Sequence, residues 1–228
     1  MYKKNAIKVI LLKGVFPTTD FSALSKAIGS PIAGLIGMSA FSRYVVEIDY
    51  ATGKLSFFEP DKFQYSGVGQ AFPLEKNEDA LIIKAQIELD DCTFVPVRLY
   101  LDSGSNSDVT FNHLFVEAHP NLGDQKLDPR SIGLASTLDA SWGVVHSLVI
   151  GHYSVPVPNT VLLHSDAAEA LDTVADGSLG SKLLSMFTVF VDRTDGKIIF
   201  EPRTDKPLTP VKPCVPSLAP HIQPPGQP

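Results

Sequence analysis

The sequence predicts a mainly β protein in which one structural unit occurs twice, the first copy incomplete. Three observations predict it. Short segments alternate apolar and polar residues with period two, as half-buried strands do. Glycine, asparagine and aspartate punctuate those segments at turn positions. Two segments 143 positions apart align without a gap, and a period that long marks duplicated units rather than a solenoid.

Composition sets the outer limits. The 228 residues are 44% hydrophobic and 19% charged, enough apolar material for a sizeable core in one large or two small domains. A formal charge of −6 argues against a nucleic-acid or anionic-membrane partner. No apolar stretch reaches the length of a bilayer span. Met1-Tyr2-Lys3-Lys4 carries the charge of a signal peptide. The apolar run Ile7 to Leu12 is broken by Lys8 and closed by Lys13, however, and no small-residue cleavage site follows, so no signal peptide is expected. Cys92 and Cys214 form neither a metal-ligand spacing nor a disulfide framework. A single bridge between them is open, but Cys214 lies in a Pro-rich tail and both are expected as free thiols.

The two copies begin at Gly34-Leu-Ile-Gly37 and Gly177-Ser-Leu-Gly180. Gly34, Gly37, Ser42, Val46, Asp49, Gly53, Lys54 and Phe57 recur as Gly177, Gly180, Ser185, Val189, Asp192, Gly196, Lys197 and Phe200. Each copy then runs into Glu-Pro, at Glu59-Pro60 and Glu201-Pro202. Each reads as a Gly-x-x-Gly turn, a short helix, a β-branched strand (Val45 to Tyr50; Thr188 to Asp192), a glycine turn and a second strand (Lys54 to Phe58; Lys197 to Glu201). That is a β-hairpin closing a lobe.

Between the copies, Leu81 to Leu89 alternates as a half-buried strand and Asp90-Asp91 is its turn. Val95, Val97, Leu99 and Leu101 carry a returning strand into Asp102-Ser103-Gly104-Ser105. Asn112 can cap a short helix through Ala118, stopped by Pro120. Ile132 to Leu148, interrupted around Asp139-Ala140-Ser141, reads as a mobile hairpin. Val144 to Ile150 and Val155 to Leu163 read as further strands, and Asp166-Ala-Ala-Glu169 as the capping box of a helix through about Val174. From Pro207 the tail has prolines at every third position at first, which favours an extended, unpacked chain. The organisation expected is a first-lobe remnant over 1–60, a complete lobe over 61–205 and a tail over 206–228.

Asp102 is the candidate for chemistry. A carboxylate delivered from the end of an apolar strand into a tight polar turn needs hydrogen bonds to stay ionised, or a neighbouring charge to share a proton with. Asp102-Ser103-Gly104-Ser105 after an apolar strand resembles the Asp-Thr/Ser-Gly signature of retropepsin-like and pepsin-like aspartic peptidases. Leu179-Gly180 before a helix resembles that family's second motif, which packs beside the active-site loop. The duplicated hairpin ending is similar to bacterial two-lobed aspartyl proteases, over about residues 30–60 and 80–203.

The resemblance implies a retropepsin-like β-barrel lobe and peptide-bond hydrolysis of a peptide or protein substrate, with no metal, no cofactor and no covalent intermediate. Asp102 would be one of two aspartates facing each other across a cleft. Ser103 and Ser105 would hydrogen-bond the carboxylate and its loop, Gly104 would let substrate approach, and Gly180 would pack beside them. The hairpin from Asp128 to Val145 would be a flap.

The repeat offset puts the first-lobe equivalent of Asp102 some forty positions before Met1. The acids of the first-copy stretch, Asp20, Glu47, Asp49, Glu59 and Asp61, lie in no Asp-Ser/Thr-Gly turn. Three readings follow: a truncated product of a longer parent, a second lobe or second copy that supplies the other aspartate, or an inactive peptide-binding or assembly module. The mid-lobe start of the first half favours truncation. Gly34, Gly37 and Gly177 need only helix-start and packing roles. His113, Glu117 and His119 lack a third ligand on one face and read as surface residues. His146 and His152 read as structural or exposed, and Trp142 as flap or core.

Overall fold

The computed structural model describes residues 22, 25–26, 31, 36, 38–75, 77, 80–89, 92–122, 139–164, 174–206 and 208–210. Among them the chain is mainly β and forms two sheets. No helix of the described residues is long and apolar enough to cross a membrane.

The five-stranded sheet holds two β-hairpins, formed by the two segments that align in the sequence. Helix α1 (Met38–Arg43) leads into β1 (Val45–Asp49) and β2 (Lys54–Phe58), and the later segment supplies β12 (Phe187–Asp192) and β13 (Lys197–Pro202). β3 (Gln70–Pro73) adds itself to β13, giving the order β2-β1-β12-β13-β3. The two hairpins share one register: Val46 faces Phe57 as Val189 faces Phe200, and Asp49 faces Lys54 as Asp192 faces Lys197. Their turns match as well. Gly53 and Gly196 sit at φ +63° and +62°, the left-handed region open to glycine. Asp49 Oδ1 accepts the Ala51 and Thr52 amides, and Asp192 Oδ1 accepts the Asp195 amide. β1 and β12 pair antiparallel with Glu47 opposite Phe190, its own repeat equivalent. A local two-fold axis therefore passes between the hairpins at that pair.

The other sheet has nine strands in the order β14-β9-β8-β4-β5-β11-β6-β10-β7. β4 (Ile82–Glu88) and β5 (Phe94–Asp102) form the long hairpin the alternation predicts. Two members of β4 depart from it. Ile82 is buried against Ala80 and Ala175 on the far face, and Glu88 is buried rather than solvated. Ser147 Oγ donates to Glu88 Oε2 at 2.6 Å, and Ser154 Oγ donates to Ser147 Oγ at 2.9 Å, which satisfies a carboxyl that would otherwise be costly to bury.

β6 (Val109–Phe111) leads to α2 (His113–Ala118), where Asn112 Oδ1 accepts the Phe115 amide at 2.8 Å as the cap. Residues 139–141, expected as the interruption of a hairpin, instead begin β7 (Ala140–Trp142), which pairs with β10. The run Val155 to Leu163, expected as one strand, is two: β9 (Tyr153–Pro156) turns back on β8 (Ser147–Ile150), whereas β10 (Thr160–Leu163) runs parallel to β6. Pro156 and Pro158 break the run, because a proline has no amide for a ladder.

Gly177-Ser-Leu-Gly180, expected as a turn, is a fully buried strand, β11, followed by the short helix α3 (Ser181–Leu184). It threads between β5 and β6, parallel to the first and antiparallel to the second. A Cβ on Gly177 would collide with the Thr110 carbonyl, so a strand can pass this close only with glycine there. The expected Gly34 and Gly37 turn, the Asp90-Asp91 turn and the helix from Asp166 lie outside the described residues.

One apolar cluster joins the two sheets. Phe72, Phe187 and Phe200 meet Ile83, Phe111 and Leu148 in it, with Phe187 and Phe200 ring centroids 5.1 Å apart. Each fully buried side chain of this size contributes about 1.5–3 kcal/mol, so this shared core is what fixes the sheets to each other.

The chain departs from expectation at its C-terminal end and at Cys92. Leu208 packs against the core, and β14 (Thr209–Pro210) pairs with β9, so the tail is not unpacked at its start. Cys92 is disulfide-bonded and not a free thiol. The sequence has one other cysteine, Cys214, outside the described residues.

Candidate active site

β5 ends on Asp102, whose side chain is half-buried, while Ser103 and Gly104 are exposed. The Gly104 amide donates to Asp102 Oδ1 at 2.9 Å and the Ser105 amide to the Asp102 carbonyl at 3.2 Å, closing a tight turn. Among the described residues the Gly104 amide is the carboxylate's hydrogen-bond partner. The Ser103 and Ser105 hydroxyls do not bond the carboxylate as expected. Ser105 Oγ lies 2.8 Å from Ser107 Oγ, which lies 2.9 Å from Thr110 Oγ1, so these hydroxyls brace the loop from inside.

β11 and α3 hold the loop from the other side. Gly180 stands opposite Asp102 in the parallel ladder. Its amide donates to the Asp108 carbonyl at 2.9 Å, and a Cβ in its place would run into the Ser107 carbonyl. The Ser181 amide and hydroxyl both donate to the Ser105 carbonyl, at 2.7 and 2.8 Å. Asp102, Ser105 and Gly180, all singled out in the sequence, are thus brought together, with Ser103 and Gly104 at the exposed rim.

Asp108, Asn159 and Lys182 were not singled out by any motif in the sequence. Asp108 is buried, and its Oδ2 accepts both the backbone and side-chain N–H groups of Asn159 at 2.8 Å. Lys182 Nζ donates to Asn159 Oδ1 at 3.1 Å. This ties the end of the Asp102 loop to the entry of β10. A hollow of about 410 Å³ opens beside Asn159, lined also by Trp142, Val144 and Pro158. Trp142 is on the surface of β7 at 38% exposure and not in the core. Most of the expected flap, from 128 to 138, lies outside the described residues.

The histidines are spread over the fold. His119 stacks on Phe115 at 4.1 Å and its Nδ1 lies 2.9 Å from the Phe115 carbonyl. The His146 and His152 amides bond Glu88 and Gln70. His164 Nε2 lies 2.7 Å from Ser141 Oγ.

By its fold the chain is a mainly β protein of two sheets with an acidic turn pinned between three strands. No protein-family model and no curated protein matches its sequence. Among solved structures it is similar to a retropepsin-like aspartic protease from Rickettsia conorii, at 14% identity over 60% of this chain and 96% of that chain, with a TM-score of 0.37. A likeness at that score says nothing about the turn's chemistry.

Proposed function

We propose that the chain is an aspartic-type peptidase of the retropepsin-like kind, with Asp102 as the catalytic acid/base of the lobe spanning 61–205. The observation that carries this reading is the seating of the Asp102 turn. A carboxylate at a strand end, a turn closed by its own amides, and a glycine-ended strand threaded directly opposite make a rigid mount for one carboxyl group.

In this reading Asp102 pairs with a second carboxyl group contributed by another lobe or a second copy. Two carboxylates that close cannot both ionise, so they share a proton and titrate as a unit. The ionised member takes a proton from a water, that water attacks the peptide carbonyl, and the protonated member supports the developing oxyanion. The exposed Gly104 leaves the substrate backbone free to approach. The first-copy segment over 1–60 is the C-terminal part of a partner lobe.

A second reading rests on the Asp102 carboxylate having a backbone amide as its hydrogen-bond partner among the described residues: the same fold without a second acid is a peptide-binding or assembly module. Hydrolysis of a quenched fluorogenic peptide library from acidic to neutral pH separates the two. Cleavage blocked by a statine-type inhibitor supports the peptidase. Peptide binding without turnover, in protein whose oligomeric state has been measured, supports the binding module.

A further inference from the structure

Among the described residues, the five-stranded sheet is one strand short of the symmetry that its two hairpins suggest. The local two-fold at the Glu47–Phe190 pair relates β1 to β12 and β2 to β13. On the second-copy side, β13 has a further partner, β3. On the first-copy side, β2 has no partner beyond β1 among the described residues. An edge of this kind offers unpaired N–H and C=O groups to an incoming strand.

The occupied edge shows what the open one would accept. β3 places Gln70, Ala71, Phe72 and Pro73 opposite Phe200, Ile199, Ile198 and Lys197. The Leu74 amide donates to the Gly196 carbonyl at 2.9 Å, which makes Lys197–Pro73 the wide pair and Ile198–Phe72 the hydrogen-bonded one. Proline fits the wide pair because no ladder amide is needed there. Phe72 packs its ring on Phe200 at 5.7 Å. Carried across the two-fold, Ile198 becomes Leu55 and Phe200 becomes Phe57, so Leu55 turns its backbone amide to the open edge. Ile198 is wholly buried, whereas Leu55 is 42% exposed. The position equivalent to Ile198 thus presents an exposed apolar side chain at the first-copy edge.

We propose that the β2 edge is a strand-docking site for another polypeptide. The occupant is an extended segment of β3-like chemistry, with an aromatic residue opposite Leu55, a small residue opposite Ser56 and a polar residue opposite Phe57. Main-chain hydrogen bonds supply affinity and the aromatic anchor supplies selectivity, as in other strand additions. The site is independent of the Asp102 turn and of whether that turn is catalytic.

The test uses the whole chain and a fluorescein-labelled peptide with the sequence of residues 66–75, read by fluorescence anisotropy. Saturable binding is expected, about tenfold or more weaker for the peptide carrying serine in place of Phe72. Leu55→Lys, which puts a charge at the exposed position, and Leu55→Pro, which deletes the outward amide while leaving β1–β2 bonds in place, should each weaken it comparably. Circular dichroism confirms that each variant is folded. Absence of saturable binding by the wild type overturns the proposal. So does binding unchanged in both folded variants, which would place the peptide at the β13 edge by exchange with β3. Concentration-dependent dimerisation that Leu55→Lys abolishes would assign the edge to a second copy and overturn the stated occupant.

Discussion

Gly180 lies directly opposite Asp102 in the parallel ladder of β11 and β5, with no room for a side chain between it and the Ser107 carbonyl. The backbone of Gly180 is extended, at φ −84°, so the demand is steric and not conformational. Gly180→Ala is therefore expected to push the 105–108 loop outward and to cost about 1–3 kcal/mol, as overpacking does. Chemical denaturation measures the loss. Peptide turnover should fall more than stability does, since the displaced loop is the one that seats Asp102.

The buried Glu88 is satisfied by one hydroxyl, which is itself satisfied by another. Ser147→Ala leaves the carboxyl with a missing donor and should cost about 1–3 kcal/mol. Ser154→Ala removes only the outer link and should cost less. A urea titration of both variants checks the order; equal losses would show that the chain does not act as a relay.

Much of this fold was legible in the sequence where the determining forces are local. Hairpins announce themselves through Asp49, Gly53 and Lys54 and their equivalents, because the turn aspartate and the left-handed glycine are fixed by backbone geometry. The Asn112 cap was legible for the same reason. Pairings between distant segments were not. Nothing in Gly177-Ser-Leu-Gly180 distinguishes a helix-start turn from a strand threaded between two others, since glycine permits both. Burial of Glu88 depends on Ser147, and Asp108 on Asn159, across the sheet. The Cys92 disulfide was not legible because two cysteines far apart in the sequence carry no framework spacing.

The Arg98 guanidinium grips Glu75 through Nε and Nη2, at 2.7 to 3.2 Å, and this hydrogen-bonded contact holds the Glu75 carboxyl below its ordinary value. A depressed folded value means that the pair's stabilisation is present above the unfolded carboxyl range near 4.3 and is lost as pH falls through the lower folded value. The pair is partly exposed, so its whole contribution should be about 1 kcal/mol or less. Glu75→Gln should lower stability at neutral pH and leave it unchanged in strong acid. A difference that persists in strong acid would assign the effect to packing.

Cys92 is disulfide-bonded, and a disulfide stabilises a domain by about 2–4 kcal/mol, chiefly by restricting the unfolded chain. Cys92→Ser and reduction of the wild type should therefore lower the thermal midpoint by the same amount, and reduction should not lower that of the variant further. A melt with and without dithiothreitol decides it. An additional loss in the reduced variant would separate the reductant's effect from the Cys92 bond.

Asp102 is half-buried and bonded through a single amide, so Asp102→Asn should change stability by no more than about 1 kcal/mol. Its effect on turnover of a fluorogenic peptide is the most direct measurement of the proposed function. Loss of cleavage in a variant with a wild-type melting profile is the predicted result. Cleavage at the wild-type rate by Asp102→Asn would contradict the assignment of Asp102 as the catalytic aspartate.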